Sequence, residues 1–117
     1  MTLSIVIPVR NDPEGLTRLL EQLRGMPVFD RIIIADDASD MACRPAELGF
    51  DEAALGVTYL RSETHRGAGH ARNLALAGLE TDHVLFFDSD DLLADDFPRL
   101  VDDLQGLDFD FCMFRHI

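Results

Sequence analysis

Three short stretches of the chain carry side chains that could do chemistry. Residues 88–91 read Asp-Ser-Asp-Asp, residues 36–37 are a pair of aspartates, and residues 66–73 read Arg-Gly-Ala-Gly-His-Ala-Arg-Asn. Carboxylates crowded into a low-dielectric cleft raise one another's pKa unless a cation lies between them. Asp88 and Asp90 are two residues apart, so on an extended chain both point to one side, with Cα atoms about 6 to 7 Å apart. Hard oxygen donors of this kind suit Mg2+ or Mn2+, ions held by one or two carboxylates together with substrate phosphates. The chemistry this implies is a divalent cation shared with a diphosphate. The competing reading is that Asp88, Asp90 and Asp91 only cap the next helix and solvate a loop. Their position directly after the apolar run His83-Val84-Leu85-Phe86-Phe87 weighs against it.

Asp36 and Asp37 are adjacent, so on a strand they face opposite sides and cannot chelate together. One of them can accept hydrogen bonds from a ligand's N–H or hydroxyl groups; an Asx turn followed by a Ser39 or Asp40 cap is the structural alternative. The stretch from Arg66 to Asn73 sets two arginines and a glycine-rich turn at a helix start, where backbone N–H groups and the dipole favour an anion. It fails as G-x-G-x-x-G, because Arg72 stands at the last position and the turn follows the third strand instead of the first. The weaker alternative for Arg72 and Asn73 is a helix surface residue and a packing hydrogen bond. His65, His70, His83 and His116 have no zinc spacing, and Cys43 and Cys112 form no C-x-x-C pair. The cysteines read as reduced thiols of a cytosolic protein.

The elements that must position these residues follow from the apolar pattern. Leu3 to Val9 is a nearly unbroken apolar run, as expected of a strand covered on both faces in a parallel sheet. Asp12 reads as an N-cap and Pro13 as the first helical residue. Leu16, Leu19, Leu20 and Leu23 follow at helical spacing, with Gly25 and Pro27 as terminators. Further strands are expected over residues 29–35, 57–61, 83–87 and 109–114. Short helical pieces are expected within 41–56, a helix over 68–79 facing inward through Ala71, Leu74, Ala75 and Leu79, and another from Asp95 or Asp96 that buries Phe97, Leu100, Val101 and Leu104. The β-α alternation implies an α/β fold, a doubly wound, mostly parallel sheet with ligands outside the carboxyl ends of its strands.

Composition narrows the partners. The 117 residues form one domain, with 22 acidic side chains against 10 basic ones, all arginine, for a net charge of −12. A chain this acidic lacks the positive footprint of nucleic-acid binding and is repelled by anionic membrane surfaces. With 47% hydrophobic residues it can bury one sizeable core. No apolar run reaches the ~18 residues of a membrane span, and no signal peptide is visible, so a soluble cytoplasmic domain is expected.

Taken together, Ser4-Ile5-Val6-Ile7-Pro8-Val9-Arg10-Asn11-Asp12, then residues 32–40, then 66–76, then 84–91, in this order and at these intervals, resemble the N-terminal, nucleotide-sugar-binding half of a family 2 glycosyltransferase with the GT-A fold. The resemblance covers nearly the whole chain. It implies that Pro8, Val9, Arg10 and chiefly Asp37 hold the nucleobase, and that Arg66, Gly67, Arg72 and Asn73 lie near the nucleotide. It also implies that Asp88 and Asp90, with Ser89 between them, meet the ribose and a Mn2+ or Mg2+ ion bridging the diphosphate. The implied activity is metal-dependent transfer of a sugar from a nucleotide-diphosphate sugar, a UDP-sugar, to a saccharide, lipid-linked or protein acceptor. Family members continue into an acceptor-binding half that supplies the general base, which is expected beyond Ile117; in the full-length protein the domain could work at the cytoplasmic face of a membrane.

Two other families share parts of this pattern. Residues 86–93 resemble the strand and D-x-D motif of haloacid dehalogenase-like phosphatases, although that motif normally follows a first strand. A receiver domain needs a lysine, and the chain has none. A non-catalytic nucleotide-binding module is the remaining alternative.

Overall fold

The computed structural model describes residues 2–105. Its elements in chain order are β1 (Leu3–Val9), α1 (Pro13–Arg24), β2 (Arg31–Asp37), a 3-10 turn (Pro45–Leu48), α2 (Glu52–Leu55), β3 (Val57–Ser62), α3 (Ala68–Leu76), β4 (His83–Phe86) and α4 (Phe97–Gln105). The strand expected over 109–114 lies outside the described residues, as do Cys112 and His116.

Each strand pairs in parallel with its neighbours, in the order β3-β2-β1-β4. All seven residues of β1 are buried, because this strand has a partner on each edge and helices over both faces. Ile5, Ile7 and Val9 face α1, where Leu16, Leu19, Leu20 and Leu23 form the expected stripe and Phe97 and Val101 of α4 join them. Val6, Ile33 and Ala35 face the other side, covered by Ala71 and Ala75 of α3. Small residues there let the helix backbone approach the sheet. α3 carries the chain back across β2 and β1, opposite in direction to the α1 crossover, and a right-handed connection running the opposite way must lie on the opposite face.

Four expectations are corrected in detail. β2 begins at Arg31 and not at residue 29, since Phe29 turns away to stack on Phe97 with ring centroids 5.8 Å apart. α3 ends at Leu76, and Leu74 and Leu79 are half-buried instead of core. Leu100 is 37% exposed, because the buried stripe of α4 runs through Phe97 and Val101 at i, i+4 and leaves the adjacent position outside. Asp88 and Asp90 do not lie on an extended chain: Asp91 N–H donates to the Asp88 carbonyl at 3.1 Å and closes a turn.

Candidate nucleotide-sugar site

The strand order reverses between β1 and β4, and ligand clefts of open α/β sheets form outside the carboxyl ends at such a point. A cleft of about 600 Å³ opens there, lined by Pro8, Val9, Arg10, Asn11 and Asp12 after β1, Asp37 after β2, His65 and Ala68 before and within α3, and Asp88, Ser89 and Asp90 after β4. Residues far apart in sequence meet because the four strands among the described residues are parallel and end on this edge.

The β1–α1 loop is the hub. Asn11 adopts φ +53°, a left-handed conformation that asparagine tolerates. Its N–H donates to Ser39 Oγ at 2.9 Å, and its side-chain oxygen accepts from Asp40 N–H at 2.8 Å, fixing the loop after β2. Asp12 caps α1 by accepting from Gly15 N–H, and its second oxygen accepts from Ser89 Oγ at 2.9 Å.

The paired aspartates divide their work as their opposite facing requires. Asp36 is fully buried and accepts from Ser39 N–H, Cys43 N–H, Tyr59 Oη at 2.5 Å and Arg61. Burial alone would raise its pKa, but the hydrogen bonds from Ser39, Tyr59 and Cys43 outweigh it and hold the carboxyl below its usual value. The same contact, added to burial, pushes the Tyr59 phenol up to about 12. Asp36 is therefore structural: it locks β2 to β3 and shapes the loop that Asn11 grips.

Asp37 turns into the cleft. Its carboxylate accepts from Arg66 N–H and Gly67 N–H, each at 2.9 Å, and sits 2.5 Å from His65 Nδ1. Burial again pushes its pKa upward, and these three donors bring it below the ordinary value. Gly67 has φ +91°, which allows the tight entry into α3. Arg66 and Gly67 thus reach the site through their backbone, while the Arg66 side chain is exposed and outside the cleft wall.

Asp88, Asp90 and Asp91 bring one carboxylate oxygen each within 4.8 Å of one another. An all-oxygen, partly exposed donor set of this charge fits Mg2+ or Mn2+. Arg72 does not line the cleft; its guanidinium lies 3.5 Å from Asp88 and over the Phe86 ring. Asn73 is exposed and also outside the cleft. Sequence reasoning did not assign Asn11, His65, Ala68 or Asp91 to the site, and read Asp12 only as a cap. The signal available for Asp91 was its place in the same acidic run; the others emerge only once the strand ends converge.

A family profile described as glycosyl transferase family 2 matches residues 4–116. The pre-mycofactocin glycosyltransferase of Mycobacterium tuberculosis is 41% identical over 87 residues, 74% of this chain and 17% of that protein. The poly(ribitol-phosphate) β-N-acetylglucosaminyltransferase TarS of Staphylococcus aureus is 30% identical over 97 residues, 80% of this chain and 17% of its own length. A crystal structure of TarS residues 1–349 in complex with UDP-GlcNAc superposes with a TM-score of 0.75 at 26% identity, covering 91% of this chain and 31% of that one. A mannosyltransferase from Pyrobaculum calidifontis, solved with GDP-Man and Mn2+, shares the fold with a TM-score of 0.72 at 21% identity, over 88% of this chain and 31% of that one. The chain thus spans under a fifth of the length of these curated relatives, and the phosphatase reading finds no support among them. With its GT-A sheet, its acidic turn at the reversal of strand order and a profile match over nearly every residue, this chain belongs to glycosyl transferase family 2.

Proposed function

We propose that the cleft binds the nucleoside-diphosphate part of a UDP-sugar together with a divalent cation, and that these 117 residues are the donor-binding part of a glycosyltransferase. The observation that carries this reading is that Asp37 and the Asp88 and Asp90 of the acidic turn line one cleft of about 600 Å³. A carboxylate offers roughly four acceptor positions, and His65, Arg66 and Gly67 use three of those on Asp37. One is left, matching a base that presents a single N–H, as the uracil imide does. The UDP-GlcNAc complex of TarS supports the same donor class.

In this reading Pro8 and Val9 supply an apolar wall for the base and Arg10 a guanidinium near it, while Ser89 and Asp88 meet the ribose; all five line the cleft. Asp90, with Asp88 and Asp91, would hold Mn2+ or Mg2+. A bound cation supplies positive charge opposite the diphosphate, which a protein of charge −12 otherwise repels. Arg72, outside the cleft, places a guanidinium 3.5 Å from the Asp88 carboxylate and offsets part of the charge of the acidic turn.

Calorimetric titration of UDP into the protein with Mn2+ and with EDTA tests the reading. Binding is expected to be much tighter with the metal; equal affinity in both would overturn it.

A further inference from the structure

The segment that follows β4 lies across α1, and two side chains of that helix hold it. At one end Asp12 accepts from Ser89 Oγ at 2.9 Å. At the other, Gln22 makes a reciprocal pair: its amide donates to the Leu93 carbonyl at 2.9 Å and accepts from Leu93 N–H at 2.8 Å. Between them Gly15 presents no side chain, and Leu19 is fully buried. Positions 12, 15, 19 and 22 follow the 3-4-3 spacing of one helical stripe, so α1 offers a single continuous bed. The three clustered carboxylates lie between, or directly beside, the two anchor points: Asp88 precedes Ser89, and Asp90 and Asp91 fall between Ser89 and Leu93.

We infer that α1 is the positioning element of the metal-binding turn, with Asp12 and Gln22 as positioning residues that set the spacing of the Asp88, Asp90 and Asp91 carboxylates. This rests on the donor-site reading above. Three carboxylates brought within 4.8 Å repel one another when no cation is bound, and a turn held at one end alone relaxes by swinging apart. Fixing both ends makes the cluster a preorganised donor set. Gln22 is distant from the ligand: it is not on the cleft wall, and it is neutral, so replacing it changes neither the charge of the site nor any contact to nucleotide.

The test is Gln22→Met, which keeps length and bulk but removes both hydrogen bonds. Mn2+ affinity, read from the free-ion electron paramagnetic resonance signal, is expected to fall up to about tenfold, the low end of the range for direct partners of metal ligands, because Gln22 acts one step further out through the Leu93 backbone. UDP affinity in Mn2+ should fall with it, whereas uridine affinity, which depends on the turn only through the ribose, should fall less. A merely structural role would lower the melting temperature and leave the Mn2+ and uridine affinities in their original ratio. A second pair guards against a misfolded variant and removes the effect of charge. Asp12→Ser and Asp12→Asn are both neutral and both good caps, but only asparagine has a second polar atom to reach Ser89. Asparagine should therefore bind Mn2+ more tightly than serine. Unchanged Mn2+ affinity in Gln22→Met, or equal affinities in the Asp12 pair, overturns the inference while leaving the donor site standing. Failure of the wild type to bind UDP in a Mn2+-dependent way overturns both.

Discussion

A β-carbon built on Gly15 would stand 2.7 Å from the carbonyl oxygen of Ser89, well inside contact distance, and would also collide with the Asp12 carboxylate that caps the helix. The acidic turn therefore rests directly on the backbone of α1. Glycine to alanine inside a helix ordinarily stabilises by roughly 0.5–1 kcal/mol. Here the sign should reverse: Gly15→Ala is expected to cost about 1–3 kcal/mol, the range for forcing extra volume into a packed site. Urea denaturation of the two proteins checks it, and a stabilised variant would mean that the turn moves freely over the helix.

Asp90→Asn separates a metal ligand from a helix cap. Asparagine caps as well as aspartate, so a capping residue would tolerate the change in every measurement. For a ligand, the thermal shift produced by Mn2+ plus UDP should be largely lost. The metal-free protein should melt no lower than wild type, because one of three crowded carboxylates has been neutralised. Melting curves with and without both ligands decide between the two.

Asp37→Ala is expected to weaken uridine and UDP alike, since the contact proposed for Asp37 is to the base. The same change frees the N–H groups of Arg66 and Gly67 and the His65 ring, so amide exchange over residues 65–67 should quicken. If calorimetry shows uridine binding untouched, the base lies elsewhere.

The buried carboxylates set the acid limit of the fold. Asp36 and Asp37 have folded pKa values below 3.8, their unfolded reference. Their stabilisation is thus present above about pH 4 and is lost as pH falls through the lowered folded values. Tyr59→Phe removes a donor from Asp36 and should cost about 1–3 kcal/mol at neutral pH, with the acid midpoint moving upward. At the alkaline end the sign is opposite in cause. A phenol raised from 10.0 to about 12 keeps its proton longer when folded, so wild type loses stability above pH 10 and the phenylalanine variant loses less. Circular dichroism across both limits measures the pair.

The repeating parts of this structure were legible in the sequence. The run from Leu3 to Val9 read as a doubly covered strand, and the four leucines of α1 fell on one face behind an Asp-Pro start. Both patterns are local, so the order of residues within one short segment carries them. Asp37, Asp88 and Asp90 were also readable, since strand ends mark the cleft edge. What stayed hidden was the second oxygen of Asp12 and the amide of Gln22, whose partners lie 77 and 71 residues away. Nothing in the spacing of Gln22 distinguishes it from a solvent-facing helical residue; its role exists only after β4 has been laid beside β1. Leu100 shows the opposite error, an apolar position with helical spacing that the fold leaves exposed.

The central place of β1 has a kinetic consequence. Its partner on one side, β2, follows after a single helix, but its partner on the other, β4, lies about 80 residues further along the chain. The βαβ unit ending at Asp37 can nucleate from nearby contacts, whereas closing the second edge demands a long loop and is slow. During synthesis Ile5, Val6 and Ile7 leave the ribosome with an unpaired apolar strand edge that stays open until His83–Phe86 emerges. Until then the nascent chain is a substrate for strand-to-strand aggregation and for chaperones that bind such edges. The acidic turn thus follows directly on the strand whose arrival ends the chain's most vulnerable interval.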